Sequence, residues 1–187
     1  CCHGMGNSII LDPYDVYRMT TGMGKSMQEL LAASVELNVV DGVILPNLKM
    51  QGAEEACAYL DGEGRCSIHP YRPGICRLFP LGRYYENGGF SYFLQTGECA
   101  KENRSKIKVS KWIDTPDLTR NQQFTLQWHD LLHAMEERLT GEDEGKQREE
   151  NLLLLRLFYL LPYEGTIDFY TQFTERMEHW NGQNGQI

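Results

Sequence analysis

The 187-residue chain carries 18 Lys and Arg against 26 Asp and Glu, a net charge of −8, which argues against nucleic acid as a partner. With 41% hydrophobic and 24% charged residues, it has the composition of a globular protein that buries its own core. Six cysteines in this length are too sparse for a disulfide-stapled miniprotein, and no apolar run is long enough to span a bilayer.

The chain opens Cys1-Cys2-His3-Gly4, with neither a basic nor an apolar leader pattern and no initiator Met. Residues upstream of this numbering are therefore expected, as is a reducing, cytoplasmic location. Asn7 to Leu11 reads as a short extended lead into a helix capped by Asp12. Pro13 fits the first helical position, where no amide donor is needed. Thr21-Gly22-Met23-Gly24 ends that helix. Ser26-Met27-Gln28-Glu29 is a capping box opening a second helix, with Met27, Leu30, Leu31 and Val35 as its apolar face. Asp41-Gly42 reads as a turn and Val43-Ile44-Leu45 as a strand.

From Cys57 to Cys99 the chain is turn-rich and holds four of the six cysteines. Pro70, Pro73 and Pro80 exclude a long helix there. Tyr84 to Thr96 resembles a hairpin, and its aromatics Tyr84, Tyr85, Phe90, Tyr92 and Phe93 are expected to cover a metal centre. The basic run Lys101, Arg104, Lys106, Lys108 and Lys111 reads as a solvated edge strand.

Beyond Thr115 the pattern is helical. Phe124, Trp128, Leu131, Leu132, Met135 and Leu139 keep helical spacing. Gly141 to Glu150 reads as a charged connection, followed by a Leu-rich helix stopped by Pro162 and a last amphipathic helix from Thr166 to about Trp180. The predicted class is α+β, mainly α, with a small irregular and β cysteine-rich module. The predicted division is a cysteine-cluster metal-binding domain over 1–111 and a helical extension over 112–187.

The cysteine spacing favours metal over disulfides. Eight residues separate Cys57 from Cys66, and nine separate Cys66 from Cys76. A tight turn over 61–64 would pair Leu60 with Arg65 and Tyr59 with Cys66. Cys57 and Cys66 then share one face as diagonal neighbours, about 7–8 Å apart at the backbone. That is too far for a relaxed disulfide but suits thiolates reaching for a common centre. The turn Arg72-Pro73-Gly74 can swing Cys76 over this hairpin. Cys99 follows the next hairpin, and Cys1 and Cys2 are adjacent. Thiolates are soft ligands that select zinc, copper(I) or iron–sulfur centres. No paired C-x-x-C knuckle points to zinc, and the wide spacing leans toward a cluster. For Cys99, the most isolated, the competing reading is a small buried hydrophobe.

Cys57, Leu60-Asp61, Gly64-Arg65-Cys66-Ser67-Ile68-His69, Arg72-Pro73 and Cys76-Arg77-Leu78-Phe79-Pro80, preceded by Cys1-Cys2 and the Asp15 helix, resemble the YkgJ-type cysteine cluster family. Its opening signature is C-x-x-x-C-x-x-C-C, of which Cys1-Cys2 supplies the closing pair. The resemblance covers roughly residues 1–100 and implies a zinc- or iron-chelating domain, with some relatives described as Fe–S oxidoreductases. The expected metal ligands are Cys1, Cys2, Cys57, Cys66, Cys76 and Cys99. Arg77, beside one of them, is expected to offset the charge of a bound cofactor. His69 stands where the family often has an aromatic residue and reads as a hydrogen-bonding surface side chain.

Three functions follow as expectations. The first is an iron–sulfur protein, with a [4Fe-4S] cluster serving redox or substrate-activation chemistry. The second is a structural zinc module that binds another protein. The third is a cluster-containing transferase acting on protein, since flagellin lysine N-methylases carry a similar cysteine cluster; no G-x-G-x-x-G segment supports a conventional methyl-donor site. The expected partner is a protein or small-molecule substrate, with no nucleic acid and no membrane. His129-Asp130-Leu131-Leu132-His133 resembles a metalloprotease helix with Asp in place of the general-base Glu and Glu137 as a further candidate ligand, but packing alone explains its apolar stripe.

Overall fold

A computed structural model describes residues 2–98 and 106–184. Its first helix, α1 (Pro13–Met23), starts as its capping chemistry requires. Asp12 accepts the Asp15 amide at 2.8 Å, while the Asp15 carboxylate reaches back to the Asp12 amide at 3.3 Å. Gly24, at φ 64°, closes the helix in the left-handed conformation that glycine adopts without a Cβ penalty. In α2 (Met27–Ala33), Ser26 and Glu29 form the second capping box.

Val35, expected on the face of α2, instead begins β1 (Val35–Val40). This strand pairs antiparallel with β2 (Val43–Leu48) across the Asp41-Gly42 turn. The extended Ile9–Leu11 segment lines the other side of β2, through Leu11 N to Pro46 O at 2.8 Å and Leu48 N to Ile9 O at 3.0 Å. Short strands β3 (Met50–Gln51) and β4 (Ala56–Cys57) follow. A 3-10 turn, His69–Tyr71, leads to the one-and-a-half-turn helix α3 (Gly74–Leu78). The hairpin β5 (Leu81–Glu86) and β6 (Gly89–Leu94) comes next.

The second half is helical: α4 (Val109–Ile113), α5 (Leu118–Leu139), α6 (Glu144–Leu155) and α7 (Phe169–Asn184). Helix α6 runs on through one π-type turn, Arg156–Leu160. Two expectations need correction here. The charged stretch 141–150 is mostly the start of α6. Asp143 caps the Gly145 and Lys146 amides, and an acidic first turn suits the positive end of the helix dipole. The basic run forms no edge strand among its described residues. Lys106 lies in irregular chain, Lys108 directly precedes α4 and Lys111 lies within it; Lys101 and Arg104 fall outside the described residues.

One core joins side chains from both halves, including Leu11, Met19, Leu48, Phe124, Phe158 and Phe173. Aromatic edges organise it, with Tyr14 on Phe169 at 4.9 Å and Phe124 on Phe173 at 4.8 Å. Arg176 of α7 is buried and gives its guanidinium to the carbonyls of Leu157, Leu161 and Pro162, satisfying the end of the π-type turn. The architecture is mixed α+β, mainly helical, as expected. Among the described residues no helix is long and apolar enough to cross a membrane.

Asn151, only 3% exposed, ties α6 to the β1–β2 turn. Its Oδ1 accepts the Ile44 amide at 2.6 Å, and its Nδ2 donates to Gly42 O at 3.3 Å. Asn151→Ala leaves these groups without partners, so chemical denaturation should show a loss of about 1–3 kcal/mol. Removing the exposed Glu149 side chain should change stability by less than about 0.5 kcal/mol.

Candidate metal centre

Backbone pairing brings Cys2 to Cys57. The Cys57 amide donates to Cys2 O at 2.8 Å, Gly4 N donates to Glu55 O at 3.0 Å, and His3 bridges Ala56. On its other side β4 pairs with β3, setting Met50 opposite Cys57. The chain then turns at once, with Leu60 N donating to Cys57 O at 2.9 Å. Across the next loop Leu60 pairs with Cys66, and Ser67 N donates to Tyr59 O at 2.9 Å. The register therefore differs by one residue from the predicted one. Asp61 is the cause: its carboxylate accepts the amides of Glu63 at 2.9 Å and Arg65 at 2.8 Å, making a longer loop than a tight turn. Cys57 and Cys66 are thus brought near by a turn, not by sharing a strand face.

Cys2, Cys57, Cys66 and Cys76 are free and half-buried. They lie close enough to act on one another. Burial pushes the Cys57 thiol above its ordinary pKa, and negative charge at Cys2 and Cys66 adds to the shift. Cys66 is raised by burial and by Cys2, against the Ile68 amide and Arg72. Cys76 is pushed up to about 12 by burial, Asp15 and the other three cysteines. Cys57, Cys66 and Cys76 therefore resist ionising together, and a metal cation removes that resistance. The donor set, four soft sulfurs, fits zinc or iron. Among the described residues, no three His, Cys, Asp or Glu side chains are gathered tightly enough to hold a single ion. Cys1 and Cys99 fall outside the described residues.

Cys76 is positioned from α1. Asp15, 2% exposed, accepts the Gly74 amide at 2.6 Å and so caps the start of α3. Arg77, 5% exposed, sets its guanidinium 4.0 Å from the same carboxylate and 5.8 Å from the Tyr14 ring centroid. Burial raises the Asp15 pKa, while Arg77 and the Gly74 and Asp12 amides oppose that rise. Arg77 is thus turned toward α1. Arg72 is the arginine whose charge acts on Cys66, and its Nη1 lies 2.7 Å from Nε2 of the exposed His69.

The hairpin aromatics behave differently from the expectation that they roof the cysteines. Tyr85 stacks on His129 of α5 at 3.8 Å, Tyr92 meets Gln122 at 3.5 Å, and Tyr84 and Phe93 are exposed. Flat stacking on a long helix draws β5–β6 onto α5. His133 is exposed and meets Glu137 at 3.6 Å, a surface pair on that helix. Asp15 is the residue whose task sequence reasoning missed. Its capping box is visible locally, but its bond to Gly74, 59 positions away, is not. Asp15→Ala should lower stability by about 3–5 kcal/mol, because it strands a buried guanidinium. Metal bound per purified chain should fall with it, as read by elemental analysis.

A family model described as CxxCxxCC, putative zinc- or iron-chelating domain, matches residues 1–116. Neither a curated protein nor a solved structure matches the chain. The matched stretch includes all six cysteines and covers more than half of the sequence. The chain belongs to this YkgJ-type family of zinc- or iron-chelating domains.

Proposed function

We propose that the cysteines hold an iron–sulfur cluster, of the four-iron type, that serves electron transfer or substrate activation. The observation that carries this reading is the approach of Cys2, Cys57, Cys66 and Cys76 from four separate segments: main-chain pairing joins Cys2 to Cys57 and Cys66 to Leu60, and negative charge at those three cysteines acts on the Cys76 thiol. Four thiolates match the ligand set of a cubane cluster, in which each sulfur binds a different iron, and the paired C-x-x-C knuckles of many structural zinc sites do not occur in this sequence.

A bound cluster would supply one-electron chemistry or a Lewis-acidic iron. The chain's own residues have separate tasks. Cys2 and Cys57 are carried on paired backbone, Cys66 on the far arm of the Asp61 loop, and Cys76 on a helix capped by Asp15. Arg72 places positive charge near Cys66, where it offsets thiolate charge.

Anaerobic purification followed by iron, sulfide and zinc analysis tests the reading. A brown protein with about four iron and four sulfide per chain, absorbing near about 400 nm, is expected. A colourless protein with about one zinc per chain would overturn it in favour of a structural zinc module. Cys57→Ser, Cys66→Ser and Cys76→Ser should each remove more than about half of the bound iron. Ser67→Ala, beside a ligand but exposed, should leave iron content unchanged.

A further inference from the structure

A cleft of about 390 Å³ opens where α1, the 3-10 turn, the residues before α5 and the start of α7 meet. Small-molecule sites commonly occupy about 300–1,000 Å³. Its walls are aromatic: Tyr14, Tyr17, Tyr71, Phe169 and Tyr170. Tyr14 and Tyr170 stack at 5.8 Å, and Tyr14 and Tyr17 at 6.2 Å. Tyr71 lies so close over Gly22 that a Cβ there would run into its ring. This wall exists because position 22 has no side chain.

The charges lining the cleft are unevenly satisfied. Asp168 binds the Arg120 guanidinium at 2.7 and 3.3 Å and also accepts the Thr171 amide and hydroxyl. Asp117 caps α5 through the Arg120 amide and stands 3.8 Å from the Arg120 guanidinium, so helix dipole and cation both offset it. Arg18 has no such partner. Its Nη2 donates to Pro70 O, its Nη1 is buried without a hydrogen bond, and no carboxylate lies within ion-pair distance among the described residues. An arginine that lines the cleft without a carboxylate partner, beside aromatic walls, suits a flat anionic ligand.

The geometry points to a binding site for a small planar organic carboxylate, its ring against the tyrosines and its carboxylate on Arg18. The site is distinct from the cysteine centre and stands whether that centre holds iron or zinc. Tyr14 is shared between the two, since Arg77 sits over its ring. A ligand in the cleft therefore lies one side chain from the anchor of α3.

Calorimetric titration of the metal-loaded chain with 4-hydroxybenzoate, nicotinate, benzamidine and inorganic phosphate tests the assignment. The two carboxylates should bind with millimolar or tighter Kd, and benzamidine and phosphate at least about tenfold more weakly. Arg18→Met should weaken carboxylate binding at least about tenfold, with Arg18→Lys recovering part of it. Gly22→Ala should also weaken binding by displacing Tyr71. Circular dichroism and metal content identify variants that keep the fold; if Arg18→Met loses either, Arg18→Lys and Gly22→Ala carry the test. The assignment is overturned if neither carboxylate binds at about 10 mM. It is equally overturned if benzamidine or phosphate binds as well as they do, or if the folded Arg18 and Gly22 variants bind like the wild type.

Discussion

The Asp15 carboxylate, buried between α1 and α3, is the contact on which the placement of the cysteine segment most depends. The chain around Cys57 to Cys76 has little regular structure, and most of its side chains are at least partly exposed. It cannot hold its shape by burying apolar surface alone. The helical part, with its aromatic core, can. Asp15 transfers that rigidity by taking the first amide of a five-residue helix and facing the guanidinium next to Cys76. A short helix has few internal bonds to define its direction, so an outside acceptor at its start fixes the thiol it carries.

The remaining cysteines are placed by backbone. Cys2 and Cys57 are joined through main-chain atoms, and Cys66 follows from the loop that Asp61 shapes. The ligand positions therefore depend on turn chemistry and hydrogen-bond register more than on side-chain packing. Burial and neighbouring negative charge oppose ionisation of Cys57, Cys66 and Cys76, which couples metal capture to proton release.

Much of this was legible in the chain, and the reason is distance. The caps at Asp12 and Ser26 involve residues three apart, so local pattern predicts them. Val35, an apolar residue after Leu31, suits a helix face as well as a strand start, and only its pairing with Leu48 decides. The stretch 141–150 reads as a loop because it is polar on every side, yet Asp143 starts a helix there. The one-residue register difference came from a side chain accepting backbone amides, which apolar alternation does not encode. The aromatics near Cys76 suggested a cover by proximity in sequence, but Tyr85 found a flatter partner in His129. At the site, the chemistry of the cysteines was readable while the residues that aim them were not. Asp15 acts across 59 positions.

The tether between Arg18 and the Pro70 carbonyl has a mechanical implication. Together with the Asp15–Gly74 bond, it fastens α1 to the Cys66–Cys76 connection at two points, inside the 3-10 turn and at the start of α3. A segment clamped at two points cannot swing as a hinge; it can only flex between its clamps. Disturbance at one thiol along this connection is thus transmitted to α1 as tension on a short bracket, and a tilt of α1 reaches Cys76 by the same route.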